Sequence, residues 1–237
     1  MIDLGNAILS FAKHVPDGLV VFFPSYSYLD TCIAAWRRRR SASSPSSPSF
    51  WESLSDAKPI FLEQRSQPQS LDPRMASKEA AVDSVLSAYS SAIASGNGRG
   101  ALLFAVIGGT LSEGINFSDA LGRGVVVVGL PFPNPHSAEW KAKSQYISSK
   151  ATNRGQDGKG AARDFYENAC MRAVNQCVGR AIRHRGDYAA ILMLDRRYSG
   201  QRIQAKLPQW IRGSLANGAG VRDVERSLDE FFAGKKL

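Results

Sequence analysis

The sequence holds three cysteines in 237 residues: Cys32, Cys170 and Cys177. Three thiols cannot build a disulfide framework, and they fall short of the four thiolates of a cysteine-only zinc site or a typical iron–sulphur cluster. If Cys170 and Cys177 share a helix, seven steps of about 1.5 Å part them by ~10 Å, too far for a disulfide. They read as small buried apolar residues of a reducing compartment. Long apolar runs are also missing; each is broken within about seven residues, against the ~20 that a membrane span needs. The opening Met1-Ile2-Asp3-Leu4-Gly5 has neither a basic n-region nor a signal-like apolar stretch, which argues against secretion. A phosphate loop of the form Gly-x4-Gly-Lys-Ser/Thr is absent. The near miss, Gly155-Gln156-Asp157-Gly158-Lys159-Gly160, has the wrong spacing and no hydroxyl after its lysine. His14, His136 and His184 stand in unrelated contexts without metal-ligand spacing, so no metal site is expected. Nothing suggests a Ser-His-Asp triad or a cysteine nucleophile.

What the chain does have is positive charge: 30 Lys and Arg against 21 Asp and Glu, a formal +9. That balance implies a polyanionic partner and says nothing of the fold. Residues 1–13 read as a short amphipathic helix, and Leu19-Val20-Val21-Phe22-Phe23 as a buried strand. A helix is expected over 28–38. Ser41 to Ser49 then packs six Ser and two Pro into nine residues, too polar for a core, and reads as a disordered surface loop. Further strands are predicted at 59–62, 101–107, 125–128 and 189–194, with helices over 73–95, 137–150 and 162–183. A polar Gly-rich loop is expected over 152–160, and shorter helices close the chain. Trp210, beside Pro208, reads as core. Apolar runs alternating with helices predict an α/β fold, a parallel sheet covered by helices on both faces. Sites in such sheets form at the carboxyl ends of strands, so the residues after Phe23, Ile107, Val128 and Leu194 matter most.

After Phe23 comes Pro24-Ser25-Tyr26-Ser27-Tyr28, and after Ile107 comes Gly108-Gly109-Thr110-Leu111-Ser112-Glu113-Gly114-Ile115-Asn116-Phe117. Glycines there let the backbone approach a ligand, and free amides can bind phosphate oxygens. An ordinary turn into a helix capped by Ser112 accounts for the same residues. On one long helix at about 100° per residue, Met171, Val174, Val178 and Ile182 share a face. Gln176, Arg180 and Arg183 lie opposite, with Gly179 beside them. Two guanidiniums a turn apart suit bidentate phosphate recognition, and a solvated basic face is the plainer alternative. Arg37-Arg38-Arg39-Arg40 is open in the same way, between DNA binding, a nuclear signal and a solvated helix end.

Together these segments are familiar. Gln176-Cys177-Val178-Gly179-Arg180-Ala181-Ile182-Arg183 resembles motif VI of the superfamily 2 helicases, Gln-x-x-Gly-Arg-x-x-Arg. Gly109 to Phe117 resembles motif V, and Val20-Val21-Phe22-Phe23-Pro24-Ser25-Tyr26 motif IV, of the XPD/FancJ-like iron–sulphur DNA helicases. Ala173-Val174-Asn175-Gln176 and Ala205-Lys206-Leu207-Pro208-Gln209-Trp210-Ile211 are closest to the ChlR branch, helicases of sister-chromatid cohesion. The resemblance covers residues 3–212 apart from the Ser/Pro stretch and 151–160.

It implies the second of two RecA-like motor domains, over 1–215, with 216–237 as a C-terminal helical tail. The first domain of such a helicase carries the phosphate loop, the Asp-Glu-Ala-His box and the cysteine quartet of the iron–sulphur cluster. None of these is in this chain, which is expected to be a fragment or a truncated gene product. The family cluster is thus not carried here, and ATP with Mg2+ is expected to be shared with the N-terminal motor domain. By resemblance Arg180 and Arg183 are arginine fingers, and Gln176 orients them or the attacking water. Glu113, Gly114, Asn116 and Gly179 belong to the nucleotide side, and Ser25, Tyr26, Thr110 and Ser112 contact single-stranded or forked DNA. The implied activity is ATP-dependent 5′→3′ DNA unwinding in the nucleus, with this chain inactive alone and no membrane partner. Two other classes stay open: a non-catalytic nucleic-acid-binding or protein-interaction module, and an unrelated nucleotide-binding α/β enzyme. Against the latter, no Gly-x-Gly-x-x-Gly follows the first strand.

Overall fold

The computed structural model describes residues 1–38, 48–63, 65, 78–95, 98–114, 116–182, 184–216 and 220–235. In chain order the elements are α1 (Ile2–His14), β1 (Gly18–Phe23), α2 (Tyr26–Arg37), α3 (Phe50–Ala57), β2 (Ile60–Leu62), α4 (Lys78–Ala94) and β3 (Ala101–Val106). There follow α5 (Thr110–Gly114), a 3-10 turn (Asp119–Gly122), β4 (Gly124–Val128), α6 (Ala138–Thr152) and α7 (Gly158–Val178). The chain closes with β5 (Ala190–Leu194), α8 (Gln201–Gln204), α9 (Gln209–Arg212) and α10 (Val221–Ala233).

The five strands pair in parallel in the order β2-β3-β1-β4-β5, with β1 in the middle. Val21 aligns with Phe104 on one side and Val126 on the other. Side chains alternate between faces, so each apolar run feeds two cores. Leu19, Val21, Phe23, Leu102, Phe104 and Val126 pack with Phe11, Trp36, Leu54 and Phe232 of α1, α2, α3 and α10. Val20, Phe22, Leu103, Ala105, Val125 and Val127 pack with Tyr89 of α4 and with Cys170, Met171, Val174 and Val178 of α7. The expected α/β sheet, clad by helices on both faces, is the fold found.

Three local readings change. Helix α7 begins at Gly158 and ends at Val178, where 162–183 is expected. Beyond it the amides of Arg180 and Ala181 reach back three residues, to Cys177 and Val178, so Gly179 closes the helix into a tighter turn. Most of the Ser/Pro stretch, 41–47, lies outside the described residues, and Ser49 is ordered and buried. Ser49 caps α3 in a reciprocal box with Glu52. Trp210 is 49% exposed, and its neighbour Ile211 enters the core instead. Helix α10 lies on α1, with Leu228 and Phe232 in the first core.

Candidate functional site

At the carboxyl edge of the sheet the chain leaves β1, β2 and β3 side by side. Ser25 caps α2, its Oγ accepting from the amide of Tyr28 at 3.2 Å. Tyr26 turns back and donates its hydroxyl to Glu63 Oε1 at 3.0 Å. Burial, then the Glu63 charge, pushes the Tyr26 hydroxyl up to about 12. The Tyr26 proton is therefore committed to Glu63, while its ring carries the Arg65 guanidinium 5.5 Å from the centroid. Gly108 takes φ +76°, open only to glycine at low cost, with free space where a Cβ would stand. Thr110 is half-buried at the start of α5. Ser112 is turned inward, donating its buried hydroxyl to the Gly109 carbonyl at 2.9 Å. Ser25, Tyr26 and Thr110 thus share one edge, and Ser112 braces it from inside.

From that edge the chain runs down the second face of the sheet, because β3 ends at the carboxyl edge and parallel β4 must start at the amino edge. Glu113 and Gly114 close α5, Ile115 lies outside the described residues, and Asn116 is exposed. The amide of Phe117 then donates to the carbonyl of Arg180 at 3.0 Å. Phe117 is itself fully buried, edge-on to Phe22 with ring centroids 6.0 Å apart. That bond sews the segment 109–117 to the segment 176–183. Gln176 is exposed on the last turn of α7, beside an open cleft of about 470 Å³ shared with Asn168, Arg172, Asn175 and Lys206. Arg180 is half-buried in the turn after the helix. Its neighbour Gly179 is the C-cap, and beyond it the bonds tighten, so Arg180 follows the last α-helical turn rather than lying within it. Arg183 lies outside the described residues.

A second tie follows at the amino edge. Arg123 donates to Asp187 Oδ1 at 2.9 Å and stacks 3.9 Å from the centroid of Tyr188. Asp187 also accepts from the amides of Tyr188 and Asp119. Here the structure brings His184 out of its apparent isolation. Its Nε2 meets Asp119 Oδ1 at 3.1 Å, and atoms of Asp119, His184 and Asp187 cluster within 4.8 Å. Through these bonds the cluster ties the loop entering β4 to the loop entering β5.

Glu63 escapes the sequence reading. It is a carboxylate immediately past the carboxyl end of β2, and that position is its signal in the sequence, a weak one because β2 is only three residues long. At the ends of β4 and β5, Gly129 takes φ +68° next to Asp195, whose carboxylate is held low chiefly by its bond to Arg197. Among the described residues no helix is long and apolar enough to cross a membrane.

Residues 8–214 match the family described as the helicase C-terminal domain. The ATP-dependent DNA helicase CHL1 of Coccidioides immitis is 51% identical over 245 residues, 99% of this chain and 26% of that protein. The ATP-dependent DNA helicase chl1 of Aspergillus clavatus is 47% identical over 246 residues, 99% of this chain and 32% of that one. The solved S. tokodaii Xpd4 structure aligns with a TM-score of 0.49 at 20% identity, over 88% of this chain and 33% of that one. The chain thus spans about a quarter to a third of the curated relatives it matches. With the family match covering sheet, turns and both sewn segments, the chain belongs to the helicase C-terminal domain family.

Proposed function

We propose that this chain is the second motor domain of an ATP-dependent DNA helicase, translocating 5′→3′ on one strand. The observation that carries the reading is the Phe117–Arg180 bond. It joins a segment that starts among the strand-contact candidates to the segment that carries the arginines, so movement at one end is felt at the other. The described donors, the Gln176 amide and the Arg180 guanidinium with no phosphate loop beside them, fit one wall of a triphosphate site. The other wall then falls to the N-terminal motor domain, which is also the proposed protein partner. ATP, with its magnesium ion, supplies the phosphoryl group transferred to water.

In this reading Arg180 and Arg183 stabilise the charge that develops on the transferring group, and Gln176 holds the attacking water or the fingers in line. Glu113, Gly114 and Asn116, midway along the connecting segment, pass the state of that site to the strand edge. Ser25, Thr110 and the exposed part of Tyr26 contact the sugar–phosphate backbone, where hydroxyls and amides position a strand without reading its sequence. The basic balance of the chain then has two anions to answer, a triphosphate and a nucleic acid.

The test is DNA-stimulated ATP hydrolysis. In a polypeptide carrying both motor domains, Arg180→Ala is expected to lower kcat by on the order of 10³-fold while leaving the circular dichroism and melting unchanged. The 237-residue chain by itself is expected to show no DNA-stimulated turnover. Wild-type turnover in the Arg180→Ala protein, or robust turnover of the single chain that Arg183→Ala abolishes, overturns the reading.

A further inference from the structure

Glu63 is 5% exposed, yet it touches three separate parts of the strand edge. Its Oε2 accepts from the amide of Val106, the last residue of β3, at 2.7 Å. Its Oε1 accepts from the amide of Leu111 in the first turn of α5 at 3.0 Å and from the Tyr26 hydroxyl at 3.0 Å. An ionised carboxylate is an acceptor only, so three donors and no competing acceptor satisfy it. Its own amide donates to the Phe104 carbonyl at 2.9 Å, which prolongs the β2–β3 ladder and fixes where the side chain starts. A Cβ on Gly109 would overlap both carboxylate oxygens. Gly109 itself has no left-handed φ, so its lack of a side chain answers to space and not to backbone conformation. The two glycines of the turn thus differ: Gly108 bends the chain, and Gly109 leaves room for Glu63.

We propose that Glu63 is a positioning residue for strand binding: one buried carboxylate sets Tyr26, at the start of α2, and α5, with Thr110 at its head, at a fixed spacing along the strand edge. Gly109 is part of the same device. The inference rests on the reading that Ser25, Tyr26 and Thr110 form the strand-contact edge. Two short connections leave neighbouring strands there, tied to each other at the strand ends by the bond from the Ile107 amide to the Phe23 carbonyl, and beyond that bond Tyr26 and Leu111 meet at Glu63. A shared acceptor there fixes their spacing before a strand arrives, and pre-organisation of this kind lowers the ordering cost of binding.

The test uses the 237-residue chain and a fluorescein-labelled oligo-dT, with affinity read by anisotropy at low salt. Glu63→Gln sets an amide N–H against one of the backbone N–H donors, and Gly109→Ala pushes the carboxylate out of place. Each is expected to weaken binding by about tenfold or more. Because both break one network, the double variant should be no weaker than the worse single one. Amide hydrogen exchange at Val106 and Leu111 should accelerate in both. Val224→Ala, on α10 at the edge of the first core and outside the bonds that Glu63 makes, should lose stability without changing affinity, which separates positioning from general loosening. If Glu63→Gln fails to fold, Tyr26→Phe, which keeps both amide bonds and cuts only the link to α2, must still weaken binding. A wild-type chain that binds while the folded Glu63→Gln and Gly109→Ala chains bind equally well overturns the positioning role alone. Additive losses in the double variant do the same. A wild-type chain that does not bind the oligonucleotide overturns the strand-edge reading, and the positioning role with it.

Discussion

Arg123 shows what one side chain can hold. It is nearly buried, forked onto Asp187 and the Tyr188 carbonyl, stacked on the Tyr188 ring, with Asp17 4.0 Å away. The Asp187 carboxylate has no exposed surface at all. Removing one partner of such a pair strands the other charge in the interior, which costs about 3–5 kcal/mol, more than the pair contributes by existing. Arg123→Met is therefore expected to lower unfolding free energy by that amount in a urea titration. Arg123→Lys should recover only part of it, since an ammonium reproduces neither the fork nor the stacking. A Met variant within about 0.5 kcal/mol of wild type would mean that the pair is exchanging with water. None of this is legible in the sequence, because Arg123 and Asp187 lie 64 residues apart and neither sits in a motif. Glu63 hides for the same reason: its donors are brought to it by the register of three strands.

The elements divide by how locally their causes act. The strands are legible because parallel pairing buries both faces and forces continuous apolar runs such as Val125-Val126-Val127-Val128. The end of α7 is not, because 100° periodicity carries on through Gly179 to Ile182 while the chain itself winds into a 3-10 turn pinned by Phe117. Arg180 accordingly follows the last turn of α7, its amide bonded three residues back to Cys177. Helix α10 presents a further case, with its neighbouring phenylalanines on opposite terms. Phe232 is buried against the first core beside Tyr188, whereas Phe231 is 36% exposed. Phe232→Ala should cost about 3–5 kcal/mol by cavity formation, and Phe231→Ala should cost much less. Equal effects in denaturant titrations would show that α10 does not stay on the domain it covers here.

Across the whole molecule the buried titratable groups set how the fold answers alkali. Burial pushes the Cys170 and Cys177 thiols up to about 12 from an ordinary 9.0, and raises Cys32 as well. Between those values the folded chain keeps protons that the unfolded chain has shed, so stability present below pH 9 is lost as pH climbs toward 12. Tyr26, raised to about 12 from 10.0, adds a loss of the same sign from pH 10 upward, and buried Tyr89 and Tyr198 are displaced in the same direction. Lys58 opposes them. Buried and bonded to the carbonyls of Asp17 and Arg99, it is lowered by desolvation to about 8 from 10.5, so it favours folding as pH rises through that window. One lysine balances one thiol, not three thiols and three phenols. The denaturation midpoint should therefore hold level or rise slightly from pH 8 to 9 and then fall steeply. At pH 8 a thiol reagent should find no cysteine in the folded chain and all three after unfolding, since none of the three is exposed. Fast labelling of Cys170 or Cys177 in the native chain would show that the second face of the sheet opens, and with it the turn that carries Arg180.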